Sequence, residues 1–417
     1  MTFLALGIDM GTSGARAIAI DPNGQIQAQV SQSFESVSPD RLAIRWQTAL
    51  ETLLTQLPAS VRRQIQAIAI AGTSATALLC DAGGQPLAEP LLYNDARAIT
   101  VLEHLRALVP QHHTVLSPTS SLAKLLWYQQ QPNFSQARFL MHQADWLAFC
   151  LHGQPGISDY HNSLKLGYDV GALGYPDWLL ALDIAPLLPQ VVAPGTAIAP
   201  ILPTVAQRLG LPPSCQVCAG TTDSIAAFLA SGVETPGDAV TSLGSTLVLK
   251  LLSTQRVDDG RYGIYSHRLG EMWLVGGASN TGGAVLRSFF SDDDLVHFSA
   301  QIDPDRPSGL DYYPLLQPGD RFPINDPYLL PRLTPRPDNP VTFLHGLLEG
   351  IARIEAQGYQ RLQQLGSTPV QRVYTAGGGA INLTWQAIRQ RCLGVPVQVA
   401  PQTAAAYGAA RLAGGCC

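Results

Sequence analysis

Excess positive charge, patterned cysteine and long apolar runs are all missing from this 417-residue chain. Its 26 Lys and Arg are outnumbered by 31 Asp and Glu, for a formal charge of −5, and no basic run or Lys/Arg stripe occurs. This argues against nucleic acid as the main partner and leaves a small-molecule ligand as the default. No uninterrupted apolar stretch is long enough to span a bilayer, and the apolar residues from Phe3 to Ile8 lack a basic leader and stop at Asp9. Neither a membrane segment nor a signal peptide is expected, and the protein is expected in the cytoplasm. The seven cysteines are scattered, odd in number and without a repeated metal spacing. Cys215 and Cys218 are the one internal pair at redox spacing, but they fall in an apparent strand, which suits buried structural thiols better than a reactive dithiol. Cys416 and Cys417 fall in a tail expected to fray. Also absent are the Gly-Lys-Ser/Thr ending of a P-loop and a Gly-x-Gly-x-x-Gly ahead of a helix.

What is present is organised around Leu6-Gly-Ile-Asp9-Met-Gly11-Thr12-Ser13-Gly14-Ala-Arg16. Apolar residues run up to Asp9, a Gly/Thr/Ser turn follows, and Ala15 to Ile20 reads as a second strand, so a β-hairpin is predicted. Small residues at such a tip can turn consecutive backbone N–H groups toward an anion. Asp9, at the strand end beside bound phosphates, would then need a cation, which implies Mg²⁺ held largely through water. An ordinary polar hairpin turn fits the same residues equally well.

The length suits two domains. A third strand is predicted from Gln25 to Val30, a helix from Ala43 to Leu57, and a buried strand over 65–70 that ends in Gly72-Thr73-Ser74-Ala75-Thr76. That hydroxyl-rich strand end suits a polar ligand, and loop polarity alone also explains it. Asn94 or Asp95 opens a helix, either as a ligand contact or simply as an N-cap. Residues 153–175 are rich in Gly, Asp, His and Tyr, with Asp159, His161 and Asn162 close together, a single His without spaced partners being weak evidence for a metal. Gln216 to Ala219 reads as a strand turning through Gly220-Thr-Thr-Asp223 into an Ala-rich helix. Asp223 is either a cap carboxylate or a general base kept ionised by the helix dipole. Near residue 235 the pattern restarts: strand, Gly244-Ser245-Thr246, strand, and a third strand from Met272. Two domains, each opening with a hairpin tipped by small hydroxyl residues, could hold a polyphosphate from both sides, although hairpins commonly use such turns. Residues 303–340 read as a long ordered loop, Phe343 to Leu365 as an amphipathic helix, and 370–376 as a strand entering Gly377-Gly378-Gly379-Ala-Ile-Asn382 before a helix through Trp385. The acidic ribose residue of a dinucleotide site is missing after that glycine run, which fits a flat adenine on bare backbone.

Together these stretches resemble the FGGY carbohydrate kinases, of the actin-like, ribonuclease-H-like two-domain ATPase group. The likeness rests on Gly7-Ile-Asp9-x-Gly11-Thr12, Asn94-Asp95-Ala-Arg97, Gly220-Thr-Thr-Asp223, Ser242-Leu-Gly244-Ser-Thr246 and Gly377-Gly-Gly-Ala-x-Asn382, five motifs in the family's order across nearly the whole chain. It implies an α/β fold of two actin-like domains with a nucleotide and sugar cleft, the first covering residues 1–233 and joined by a last helix in 404–417, the second covering 234–403. It further implies that Asp223 takes the proton of the sugar hydroxyl and that Asp9 organises Mg²⁺. Thr12, Ser13, Gly244, Ser245 and Thr246 would steady the phosphates of ATP. Gly378, Gly379, Asn382 and Trp385 would surround the adenosine, and Asp9, Ser74, Asp95 and Asp223 would face the sugar. Bacterial xylulokinases carry Gly-Gln-Met-His-Gly where this chain has Gly72-Thr-Ser-Ala-Thr76, and the glycerol kinases' Asn-Gln-Arg is absent there as well. The stretch is more similar to the short xylulokinase-like proteins of cyanobacteria and plants and to D-ribulokinases, which implies D-ribulose phosphorylated at O5. D-Xylulose, or a nucleotide switch with no sugar acceptor, is the alternative. The family's Glu before the last small-residue helix is replaced here by the stretch from Thr403 to Tyr407. The chain is shorter than typical members, which points to a monomer or weak homodimer.

Overall fold

The computed structural model describes residues 3–36 and 38–415. Cys416 and Cys417 lie outside the described residues. The chain divides into two compact units, one running to Ala230 and taking up the chain again from Gln402, the other spanning Ser231–Pro401. No helix among the described residues is long and apolar enough to cross a membrane.

The first unit is built on β1 (Leu4–Met10), β2 (Gly14–Ile20), β3 (Ile26–Ser33) and β4 (Ile65–Gly72). β1 pairs antiparallel with β2 and parallel with β4, and β2 pairs antiparallel with β3. The central strands are apolar at nearly every position because both faces are covered, whereas β3 at the edge alternates with solvent. Leu6, Ile8 and Met10 pack with Trp46, Leu50 and Leu53 of α1 (Leu42–Gln56). The opposite face of β1 meets the closing helix Ala405–Ala413 so closely that a Cβ on Gly7 would lie 2.0 Å from the Ala406 carbonyl oxygen. Gly408 plays the matching part in that helix, since a Cβ there would lie 1.8 Å from Ala226 O. Both positions need glycine for the approach, not for a turn.

Beyond β4 the sheet continues through Gln216–Cys218 and Ala197–Pro200, and the short strand Thr221–Thr222 also pairs with β4. Cys215 and Cys218 are both buried, and burial pushes their thiols up to about 12 and about 11, as structural thiols require. Within the polar segment 153–175, for which the sequence indicates no element, Ile157–Asp159 is a strand and Tyr160–Ser163 a helical turn. The buried Asp159 side chain caps this turn by accepting from the His161 and Asn162 N–H groups at 2.8 and 3.0 Å. One capping carboxylate supplies order that the apolar pattern does not announce.

The second unit repeats the pairing scheme. Asp238–Leu243 runs antiparallel to Leu247–Ser253 and parallel to Arg372–Ala376, and Leu247–Ser253 in turn pairs with Met272–Ser279. The 25-residue helix Pro340–Gln364 covers the sheet with an apolar face that includes Leu344, Leu347 and Ile351. Four elements meet at one buried ion pair. Arg389, on the helix Leu383–Leu393, donates to both Glu355 oxygens at 2.6 and 2.7 Å and to Thr375 Oγ1 at 2.6 Å, and Thr241 Oγ1 donates to Glu355 at 2.6 Å.

Candidate active site

The register of the first sheet gathers the predicted residues at one end of parallel strands. Asp9 stands opposite Ala71, and Ala71 opposite Thr221, so the carboxyl ends of β1, β4 and the strand leading into Asp223 lie side by side. Ligands of open α/β sheets bind at such ends. Asp223 starts the helix Asp223–Ala230, and the Ser224 N–H donates to its Oδ1 at 2.6 Å. Helix polarity favours the ionised carboxylate there. Asp9 has the opposite environment. Burial first, and the negative charge of Asp223 second, push its carboxyl from 3.8 up to about 6, with the cross-strand Arg16 pulling it back. Asp9 Oδ1 is buried and has no hydrogen-bond partner among the described residues. An unpartnered, desolvated carboxylate oxygen within the field of a second carboxylate fits a hard divalent cation with oxygen ligands.

Thr12 and Ser13 stand exposed at the β1–β2 tip, which is fastened beneath them by Gly11 N–H to Gly14 O at 3.0 Å and Phe34 N–H to Ser13 O at 2.9 Å. Ser74 lies half-buried in the turn after β4. That turn is held by Gln143, whose Oε1 accepts from the Thr73 N–H at 2.9 Å, and by the Thr73 and Thr76 hydroxyls, 2.6 Å apart. Asp95 is bonded more fully than its sequence position indicates. It pairs with Arg97 at 2.9 Å and accepts from the Arg97 N–H at 3.0 Å, while the guanidinium lies 5.2 Å from the centre of the Trp127 ring. Only its remaining lone pairs could meet a ligand. Sequence reasoning missed Gln143 and the contact of His161 Nδ1 with Thr221 Oγ1 at 2.8 Å, two residues before Asp223. Neither carries a motif, because each is defined by a partner distant in the chain.

In the second unit, Ser245 and Thr246 are exposed at a turn backed by Gly283 N–H to Gly244 O at 2.8 Å and Ala284 N–H to Ser245 O at 3.1 Å. Beside it opens a cavity of about 450 Å³ walled by Leu243, Leu286, Leu295, Val296, Ile381 and Leu383, with Gly378, Gly379 and Asn382 on its lining. The size and apolar walls suit a flat heteroaromatic ring. Gly377 enters it at φ +84°, where a Cβ would lie 2.8 Å from Leu243 O. Asn382 caps the next helix, accepting from the Trp385 N–H at 2.9 Å, and donates to Ser299 Oγ at 2.8 Å. Trp385, expected as a nucleotide contact, is only 2 % exposed, and its indole N–H donates to Leu348 O at 3.0 Å. A Cβ on Gly379 would lie 2.7 Å from its ring, so Trp385 packs against the glycine run, and the small part of it left accessible contributes to the cavity lining. Among the described residues no group of three or more His, Cys, Asp or Glu could hold a metal ion.

Residues 4–230 match the N-terminal domain, and 239–415 the C-terminal domain, of the FGGY family of carbohydrate kinases. The chain belongs to that family. It is 26 % identical to a xylulose kinase of Escherichia coli (strain K12), covering 98 % of this chain and 89 % of that protein. It is also 22 % identical to a gluconokinase of Bacillus licheniformis, over 93 % of this chain and 82 % of the other. A solved structure described as a xyloylose kinase from Brucella ovis superposes with a TM-score of 0.84 at 25 % identity, covering 99 % of this chain and 91 % of that one. The xylulose kinase from Rhodospirillum rubrum gives a TM-score of 0.85 at 22 % identity over 98 % and 89 % of the two chains, a likeness of fold. The α/β two-domain fold is thus that of the FGGY kinases, and the chain is a carbohydrate kinase.

Proposed function

We propose that this carbohydrate kinase transfers the γ-phosphoryl group of Mg·ATP to the primary O5 hydroxyl of a ketopentose, D-ribulose, giving D-ribulose 5-phosphate. The observation that carries the choice of acceptor is the turn Thr73-Ser74-Ala75-Thr76, which leaves the half-buried Ser74 hydroxyl beside Asp223, the two threonine hydroxyls being buried against each other, where xylulokinases resembling this family have Gln, Met and His. Asp223 takes the proton of O5 as that oxygen bonds to the γ-phosphorus, and the bond from phosphorus to the β–γ bridging oxygen breaks to leave ADP. Ser74 and the free lone pairs of Asp95 orient the sugar. The cavity over Gly378 and Gly379 takes the adenine, and the exposed hydroxyls at 12, 13, 245 and 246 contact phosphate oxygens. Asp9 would hold Mg²⁺, which would supply neutralisation of phosphate charge. Such catalysis is mostly positioning and charge neutralisation, and the protein enters into no covalent bond.

A second acceptor is favoured by the relatives themselves, since several are named xylulose kinases. The deciding experiment is a coupled ADP-release assay with Mg·ATP against D-ribulose, D-xylulose, L-ribulose, glycerol, gluconate and no acceptor, with Ser74→Ala alongside. The proposal expects turnover chiefly with D-ribulose and a raised KM for it in Ser74→Ala. Preference for D-xylulose would replace the acceptor, and equal ADP release with and without every acceptor would replace kinase activity by a nucleotide switch.

A further inference from the structure

Lys124 is a cation in the middle of an apolar helix. It lies on Ser121–Gln129, is 0 % exposed, and has no carboxylate within ion-pair distance among the described residues. Burial pushes its amine down to about 7, with the charge of Asp95 pulling it back, and a methionine of similar length could fill the space at less cost. The donors themselves must therefore be in use. Lys124 Nζ donates to Ala75 O at 2.7 Å and to Leu92 O at 2.6 Å. The first carbonyl belongs to the turn that carries Ser74, and the second stands three residues before Asp95, whose own N–H donates to it at 2.9 Å. Ala75 is a non-glycine residue at φ +62°, a conformation unfavourable for a residue with a Cβ that persists only where neighbours enforce it.

One helical turn further on the arrangement is repeated. Tyr128 Oη, four residues along, lies within hydrogen-bond distance of Glu89 O at 2.8 Å and Ala77 O at 3.3 Å, and so bridges the same two segments farther from the strand ends. The helix thus places two rungs across one pair of segments. The Lys124 rung is the one next to Ser74 and Asp95.

We propose that Lys124 is a positioning residue for the acceptor: by holding the Ala75 and Leu92 carbonyls together it sets the separation of Ser74 and Asp95, and with it acceptor affinity, without touching the sugar. This role rests on the acceptor site proposed above. Loss of the rung lets the turn at Ala75 relax from its left-handed conformation, which moves Ser74 but leaves the second unit and its nucleotide cavity unaffected.

The test compares Lys124→Met with Tyr128→Phe in the full-length enzyme. Lys124→Met is expected to raise the KM for D-ribulose tenfold or more, with a smaller fall in kcat and a KM for ATP within twofold of wild type. Tyr128→Phe removes a comparable buried donor and is expected to leave both KM values within twofold. An unchanged acceptor KM in folded Lys124→Met, equal shifts in both KM values, or the same acceptor effect from Tyr128→Phe would each overturn the assignment. Should Lys124→Met fail to fold, Lys124→Gln keeps a donor on a shorter side chain and is expected to give an intermediate acceptor KM; a wild-type value would count against the role. Hydrogen exchange supplies a readout independent of turnover, with faster exchange expected in Lys124→Met over 72–80 and 88–97 only. If the wild type phosphorylates no ketopentose, the functional proposal falls and this acceptor role with it, while the exchange pattern still reports whether the rung exists.

Discussion

Asp9 is a carboxylate that the fold tolerates at a loss, and the loss is measurable without any assay of activity. Burial and the charge of Asp223 raise it from 3.8 to about 6. At about 1.4 kcal/mol per pH unit, that gap corresponds to about 3 kcal/mol. The sign follows from which state holds the proton more tightly. The folded pKa is the higher one, so the folded protein is favoured below pH 4, loses that advantage as pH rises from about 4 to 6, and carries the full deficit above 6. Asp9→Asn keeps the shape and cannot ionise. The variant should therefore match wild type below pH 4 and exceed it by up to about 3 kcal/mol above pH 6, which for a domain of this size raises the first unit's transition by about 6–12 °C. Scanning calorimetry from pH 4 to 8 in the presence of a chelator reads this directly. Adding Mg·ATP at pH 8 should then raise the Tm of wild type more than that of the variant, because the unpartnered oxygen is the group that favours a cation. Equal transition temperatures at pH 8, or a less stable variant, would show that Asp9 is not held desolvated and would remove the argument for a cation there.

Asp223→Asn is expected to lower acceptor-dependent ADP release by about 10²–10⁴-fold while leaving nucleotide affinity intact, as equilibrium titration would show; retained turnover would exclude Asp223 as the base. Arg389→Met leaves Glu355 charged and buried, so the second unit's transition should fall by the equivalent of about 3–5 kcal/mol while the first unit's holds, and a calorimetric trace with both transitions lowered would contradict that localisation.

The hairpins were legible because their signals are local: alternation of apolar residues, a turn of Gly, Thr and Ser, and a restart of the same order near residue 238. The family motifs were legible for the same reason. What stayed hidden depends on partners distant along the chain. Nothing in the Asp95-Ala-Arg97 motif announces that the guanidinium paired with Asp95 also lies against Trp127, and the glycine run gave no sign that the Trp385 ring packs against Gly379. The order in 157–163 was hidden because one buried capping carboxylate, not periodicity, creates it. Lys124 came nearest to leaving a trace, as a lone charge inside Leu122-Ala-Lys-Leu-Leu126, but a sequence does not show which carbonyls a lysine reaches.

The helix Ala405–Ala413 seats its backbone against Gly7 and against Ala226 with no side chain in between. This makes the first unit the last to be finished on the ribosome. Its central strand precedes the whole second unit along the chain, yet one face stays uncovered until the segment from Gln402 has emerged, after every strand and helix of the second unit is available to pair. A ribosome that stopped near residue 400 would release a second unit with all its elements and a first unit with its central strand still open to water. Mutations that slow translation of the segment from Gln402 should therefore act as folding defects of the first unit.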